Sequence, residues 1–111
     1  MADYDTELYA LKAELCKTFA DPKRLMIIEE LRSGERSVGE LAERLSVPHA
    51  VASRHLAILR ERGAVRTRRE GTNIFYSLAD SRIGEACQLV HQALLGFMER
   101  NRALAEKVMR S

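Results

Sequence analysis

A mostly helical domain carrying one small β-hairpin, in the order α-α-α-α-β-β-α, is the fold class this sequence predicts. Three observations carry it. Two short helical patterns flank a proline break between residues 37 and 62. The apolar period changes from 3.6 to 2 immediately afterwards. A heptad-spaced helix then closes the chain. At 111 residues the length suits one domain, taken here as residues 1–111.

The first helix is expected over about residues 3–20, with Tyr4, Leu8, Leu11, Leu15 and Phe19 on one stripe. Asp21 is placed as the N-cap of the second helix and Pro22 at its first position, where a missing amide proton costs nothing. Leu25, Ile28 and Leu31 are its expected buried face, and Gly34 ends it. Ser37 with Glu40 three residues on reads as a capping box opening the third helix. Val38, Leu41 and Leu45 form that helix's stripe. Ser46-Val47-Pro48 breaks it, and Pro48 suits the first turn of the fourth helix. There Val51, Leu56, Ile58 and Leu59 are expected inside, with Gly63 as a left-handed stop. His49, Ala50, Ser53, Arg54, Arg60 and Arg62 remain for the outer face. A helix, a tight turn and a second helix with a polar, basic outer face is the plan of a helix-turn-helix, assigned to about residues 37–62.

The hairpin, a wing at about residues 64–78, runs from the alternating Ala64-Val65-Arg66-Thr67-Arg68 through a Gly71-Thr72-Asn73 turn to Ile74-Phe75-Tyr76-Ser77-Leu78. Asp80 and Ser81 cap a last helix over about residues 82–109. Ile83, Cys87, Val90, Leu94, Phe97, Asn101, Leu104 and Val108 step along it by fours and threes. At 1.5 Å per residue such a helix is about 40 Å long and overhangs a domain of this size. The seam is therefore expected to pair with a second copy, the first helix completing the interface. A two-fold dimer would hold two reading helices about one DNA turn apart, matching a palindromic operator.

Charge points the same way. Between Ser46 and Thr72 lie six arginines, no lysine and two glutamates, whereas the rest of the chain has 12 basic against 14 acidic residues. A basic segment on a mildly acidic body is the footprint of a phosphate-binding face. Expected DNA contacts are His49, Ala50, Ser53, Arg54 and His55 on the fourth helix. Arg66, Arg68, Arg69, Thr72 and Asn73 are the contacts expected on the wing. Arg54 and His49 are the candidates for base edges. His55 lies near the Leu56 and Leu59 turn and reads equally as a hydrogen-bonded structural residue.

Several function classes are excluded by the same reading. Nothing approaches the roughly 20 apolar residues of a membrane span, and the acidic start MADYDTELYA is no signal peptide, so the expected location is cytoplasmic. No carboxylate pair, nucleophile–base arrangement or glycine-rich phosphate loop appears, so no enzyme and no cofactor are expected. Two cysteines cannot build a disulfide framework, and CxxC and CxC spacings are absent, so no metal site is assigned. Cys16 and Cys87 nevertheless lie on the two helices expected at the dimer interface, with His91 one turn after Cys87. Three readings stand side by side. They form a redox or reactive-sulfur sensor; they bind a thiophilic metal or metalloid with His91; or they are small packing residues.

In DPKRLMIIEEL (21–31), SVGELAERL (37–45), VASRHLAILRERGAV (51–65) and REGTNIFYSL (69–78), the chain resembles the ArsR/SmtB family of winged-helix repressors over about residues 6–95. The resemblance implies a homodimer joined through first and last helices and a repressor released from its operator by a small effector. It also implies departures. Ser37 to Leu41 lacks the Cys-x-Cys pair of the family's arsenic and cadmium sensors. Of the zinc-sensor ligands only Asp80 matches, with Arg82, Ala93 and Gly96 standing at the others. Pro48 and Ala50 replace two serines that open the family's reading helix, while Ser53 and His55 match. The rival to an operator-binding repressor is a winged-helix module that docks a protein and binds no operator.

Overall fold

The computed structural model describes residues 3–110. Among these residues five helices and three short strands follow one another: α1 (Thr6–Thr18), α2 (Pro22–Leu31), β1 (Arg36–Ser37), α3 (Val38–Leu45), α4 (His49–Glu61), β2 (Val65–Glu70), β3 (Asn73–Leu78) and α5 (Ser81–Arg110).

Local chemistry sets most of these boundaries. Asp5 caps α1 by accepting from the Leu8 amide at 3.1 Å. Asp21 accepts from the Lys23 and Arg24 amides at 2.8 and 3.1 Å, and Pro22 opens α2. The capping box at α3 is complete: Ser37 Oγ accepts from the Glu40 amide, and the Glu40 carboxylate from the Ser37 amide. Ser46 ends α3 with φ 56°, the left-handed conformation that folds the chain back within three residues. Pro48 stands one position earlier than expected, at the N-cap of α4, where its carbonyl accepts from the Val51 and Ala52 amides. Gly63, at φ +79°, stops the chain after α4. In the hairpin Glu70 pairs with Asn73, so the loop is Gly71-Thr72 alone and Asn73 belongs to β3. Gly71 supplies the positive φ, +61°, that such a two-residue loop requires at its first position.

The sheet order is β1-β3-β2, all antiparallel. β1 has no counterpart among the expected elements. Two residues are too few to show a period, and Arg36 and Ser37 become strand only by pairing with Tyr76 and Phe75. Thus the wing is stitched to the start of α3.

One cluster forms the core: Ile27, Ile28 and Leu31 from α2, Leu41 from α3, Leu56 and Leu59 from α4, then Ala64, Val65 and Tyr76. Leu25 was expected in it and is not; it is 43% exposed, and Ile27 takes the inward place. Leu25 and its neighbour Met26 instead turn outward toward α5 and line a groove there. Val51 and Ile58, expected inside, are half-buried, whereas Ala52 and His55 are buried. Burial stops at the terminal helices. In α1 only Thr18 is buried, and in α5 only Gly84. The expected α1 stripe and α5 seam lie largely in the open, with Leu11, Val90 and Leu104 each at least 60% exposed.

Candidate nucleic-acid interface and interhelical groove

α4 presents two faces of opposite character. His49, Ala50, Ser53 and Arg54 are exposed, while Ala52, Leu56 and Leu59 are fully buried behind them. α4 has no acidic residue in its first turn and no side-chain cap on its first amides. Negative charge approaching that end meets unscreened N–H groups.

His55 is corrected by the structure. It precedes Leu59 by one turn, so the helical period carries it inward with the core stripe, and it is only 9% exposed. Its Nδ1 lies 3.4 Å from Arg24 Nη1 and 4.0 Å from Asp21 Oδ1. Arginine has donors only, so Nδ1 is the acceptor in this contact. Arg24 Nε also donates to the Thr18 carbonyl at 2.6 Å. Arg24 therefore ties the end of α1 to the inner face of α4. Asp21 is held below the usual carboxylate range, chiefly by the Arg24 amide, with the Lys23 amide and the Arg24 guanidinium adding to it. His55 belongs to this buried joint and not to the outer surface. Arg62 is also engaged, donating to Glu14 of α1 at 3.3 Å.

On the wing, Arg66, Arg69, Thr72 and Asn73 are exposed. Arg68 is exposed as well, but it is the wing arginine that has carboxylate partners. Its guanidinium stands 4.9 Å from the Phe75 ring centroid and donates through Nε to both Glu35 oxygens at 3.2 Å, and through Nη1 to Glu70 at 2.7 Å. Those partners raise the Arg68 pKa further above its ordinary value, the Glu35 hydrogen bond most of all. Arg68 in turn holds Glu35 below the usual carboxylate range. Glu35 belongs to no periodic segment; the pairings Arg68↔Phe75 and Phe75↔Ser37 together bring it beside Arg68.

At the start of α5, Asp80 accepts from the Arg82 amide at 2.9 Å and from its guanidinium at 2.7 to 3.2 Å. Its pKa falls to about 2, with the guanidinium hydrogen bond as the largest cause. The one zinc-sensor ligand position that matched is thus occupied by an internal cation. Among the described residues, no group of three or more His, Cys, Asp or Glu side chains could hold a metal ion.

Cys16, Cys87 and His91 do come together on one feature. A groove of about 770 Å³ runs between α1, α2 and α5, with these three residues, Phe19, Met26 and Leu94 among those lining it. Cys16 is exposed and Cys87 half-buried. Burial, and then the Glu29 carboxylate, push the Cys87 thiol up, so it forms thiolate less readily than an ordinary cysteine. Among the described residues no helix is long and apolar enough to cross a membrane.

A family model described as a helix-turn-helix domain matches residues 19–68. The chain is 40% identical over 87 residues to the uncharacterized HTH-type transcriptional regulator MJ1325 of Methanocaldococcus jannaschii, covering 78% of this chain and 98% of that one. It is 43% identical over 79 residues to the biofilm growth-associated repressor of Agrobacterium fabrum, covering 71% and 68%. Among solved structures, the homodimeric winged helix-turn-helix DNA-binding domain Mb0332 of Mycobacterium bovis, described as a possible ArsR-family transcriptional regulator, aligns with a TM-score of 0.79. Its identity is 30%, over 90% of this chain and 93% of that one.

Proposed function

Because the chain belongs to the ArsR/SmtB family of winged helix-turn-helix transcriptional regulators, we propose that it is a homodimeric repressor that reads a palindromic operator with α4. The observation that carries this reading is the division of α4. A fully buried apolar face fixes the helix, and the opposite face holds Arg54, Ser53 and His49 out in solvent. In the proposed complex Arg54 and His49 meet base edges in the major groove. Ser53, the first-turn amides of α4, Arg66 and Arg69 meet phosphates, with Thr72 and Asn73 at the wing tip. Pairing of α5 with its copy covers the open seam and sets the two α4 helices one DNA turn apart.

Release from DNA is proposed to start at the interhelical groove. Oxidation there joins Cys16 and Cys87, within or between protomers. Two thiols give up two protons and two electrons to an oxidant, and the exposed Cys16 is the attacking thiol. Support comes from the shared groove and from the Arg24 joint, which connects the end of α1 to α4.

Gel-shift titration against the DNA upstream of its own gene, at physiological salt, tests the reading. Arg54→Ala is expected to lower operator affinity by roughly 10- to 100-fold and to relax specificity together, as loss of a bidentate base contact does. Unchanged binding sinks the assignment of α4. Wild-type protein that prefers no sequence favours the protein-docking module instead. Diamide is expected to weaken operator binding of wild type and to leave Cys87→Ser unaffected; equal responses of the two remove the cysteines from the mechanism.

A further inference from the structure

Three basic side chains project from β2, and they are not equivalent. Among the described residues, Arg66 and Arg69 have no carboxylate within 4.0 Å, whereas Arg68 has two. Arg68 with Glu35 and Glu70 carries one net negative charge, so the group as a whole repels phosphate. Geometry adds a second argument. Arg68 sits opposite Phe75 in register, and Phe75 sits opposite Ser37. Glu35 lies two residues before Ser37. The arginine therefore reaches from β2, over the ring on the central strand, to the flank of β1. It spans all three strands on the face turned away from the buried Tyr76. An exposed ion pair by itself contributes little. A bidentate pair laid across an aromatic ring, with a second carboxylate on the same guanidinium, is better defined in geometry.

We propose that Glu35 is a positioning residue for DNA binding: it holds Arg68 across the sheet, straps the wing to the helix-turn-helix, and keeps that arginine off the phosphates. Phosphate contact on the wing is thereby left to Arg66 and Arg69. The inference rests on the reading of α4 and the wing as the DNA-facing surface.

Operator and random duplexes titrated over a salt series, with E35Q, R68Q and R69Q beside wild type, test it. Each phosphate contact contributes about 0.9 to the slope of log K against log salt. R69Q is expected to flatten that slope by about one. R68Q is expected to leave the slope unchanged and to narrow the operator-to-random ratio several-fold, because the wing is no longer held. E35Q is expected to strengthen random-duplex binding several-fold, because the group loses its net negative charge while Arg68 keeps Glu70. Without DNA, the wing amides are expected to exchange hydrogen faster in E35Q and R68Q. A slope flattened by R68Q would make Arg68 a phosphate contact and overturn the proposal. Unchanged exchange in E35Q would overturn it equally. Wild-type protein that prefers no sequence would sink the operator reading alone, and the exchange measurement would still decide the strap.

Discussion

The winged body and the terminal helices are built from similar amounts of apolar side chain, and they use it differently. In α2, α3 and α4, residues such as Ile27, Ile28, Leu41, Leu56 and Leu59 have no exposed surface at all. In α1 and α5, Leu11, Val90, Leu94, Phe97 and Leu104 are all more than half exposed. The body completes its core within one chain. The terminal helices carry a core that one chain leaves half built, and apolar surface on that scale marks an interaction face. The difference teaches where stability and assembly separate: a substitution in the body should act on folding, and one on the seam should act on pairing.

The largest test of that separation sets Leu56→Ala against Leu94→Asp. Leu56 is fully buried in the central cluster. Its truncation is expected to cost about 2–5 kcal/mol, from lost transfer energy and the cavity left behind. Urea denaturation at fixed protein concentration would measure it. Leu94 is 55% exposed, so a charge there offends little within one protomer. It is expected to leave the helical circular dichroism signal nearly intact and to shift sedimentation toward the protomer mass. If Leu94→Asp unfolds the chain as Leu56→Ala does, body and seam are one cooperative unit and the contrast fails.

How much of this was legible beforehand follows the same division. Capping chemistry is local, so Asp21-Pro22, Ser37 with Glu40, Gly63 and Gly71 could be read directly from residue order. The seam of α5 could be read because heptad spacing is a one-dimensional signal. What stayed hidden depends on which neighbour lies on the other side. Leu25 and Ile27 are equally apolar, and only the packing of α2 against α3 and α4 decides that Ile27 is the one covered. His55 was ambiguous because the outer and inner faces of α4 meet there; Arg24, 31 residues away, settles it from inside. Arg68 looked like any other wing arginine until the sheet register brought Glu35 beside it.

A smaller effect is expected where the two regions touch. The first turn of α5 rests against the body at Gly84. A Cβ there would lie 2.7 Å from Arg32 Cγ and 3.0 Å from Leu78 Cδ1. Arg32 is not free to swing away without loss, since its Nη1 donates to Glu29 and to Gln88 of α5 at 3.0 and 3.2 Å. Overpacking of this kind costs about 1–3 kcal/mol. Replacing glycine inside a helix returns up to about 1 kcal/mol. Gly84→Ala is therefore expected to destabilise by about 1 kcal/mol, less than Leu56→Ala, and to lower dimer affinity by tilting α5. A variant more stable than wild type would mean that α5 is held loosely on the body and that the contact at Gly84 constrains nothing.

The smallest effect sharpens the same boundary electrostatically. Asp80 is the last acidic residue before α5, and its carboxyl pKa lies at about 2 against an ordinary value of 3.8. A folded-state value below the unfolded one means that ionised Asp80 favours the folded chain. That contribution is fully present above pH 3.8 and is lost as the pH falls through about 2. Asp80→Asn keeps an oxygen that can accept from the Arg82 amide and removes the charge that holds the guanidinium. The variant is thus expected to be slightly less stable than wild type at neutral pH, by an amount that shrinks between pH 4 and 2. Thermal melts across that window would show it. Glu35 and Asp21 titrate low as well, but they are common to both proteins and drop out of the difference. A gap between the two melting curves that persists unchanged at pH 2 would mean that Asp80 supports α5 through its shape, as a neutral cap, and that the charge pair with Arg82 contributes nothing to docking the helix on the body.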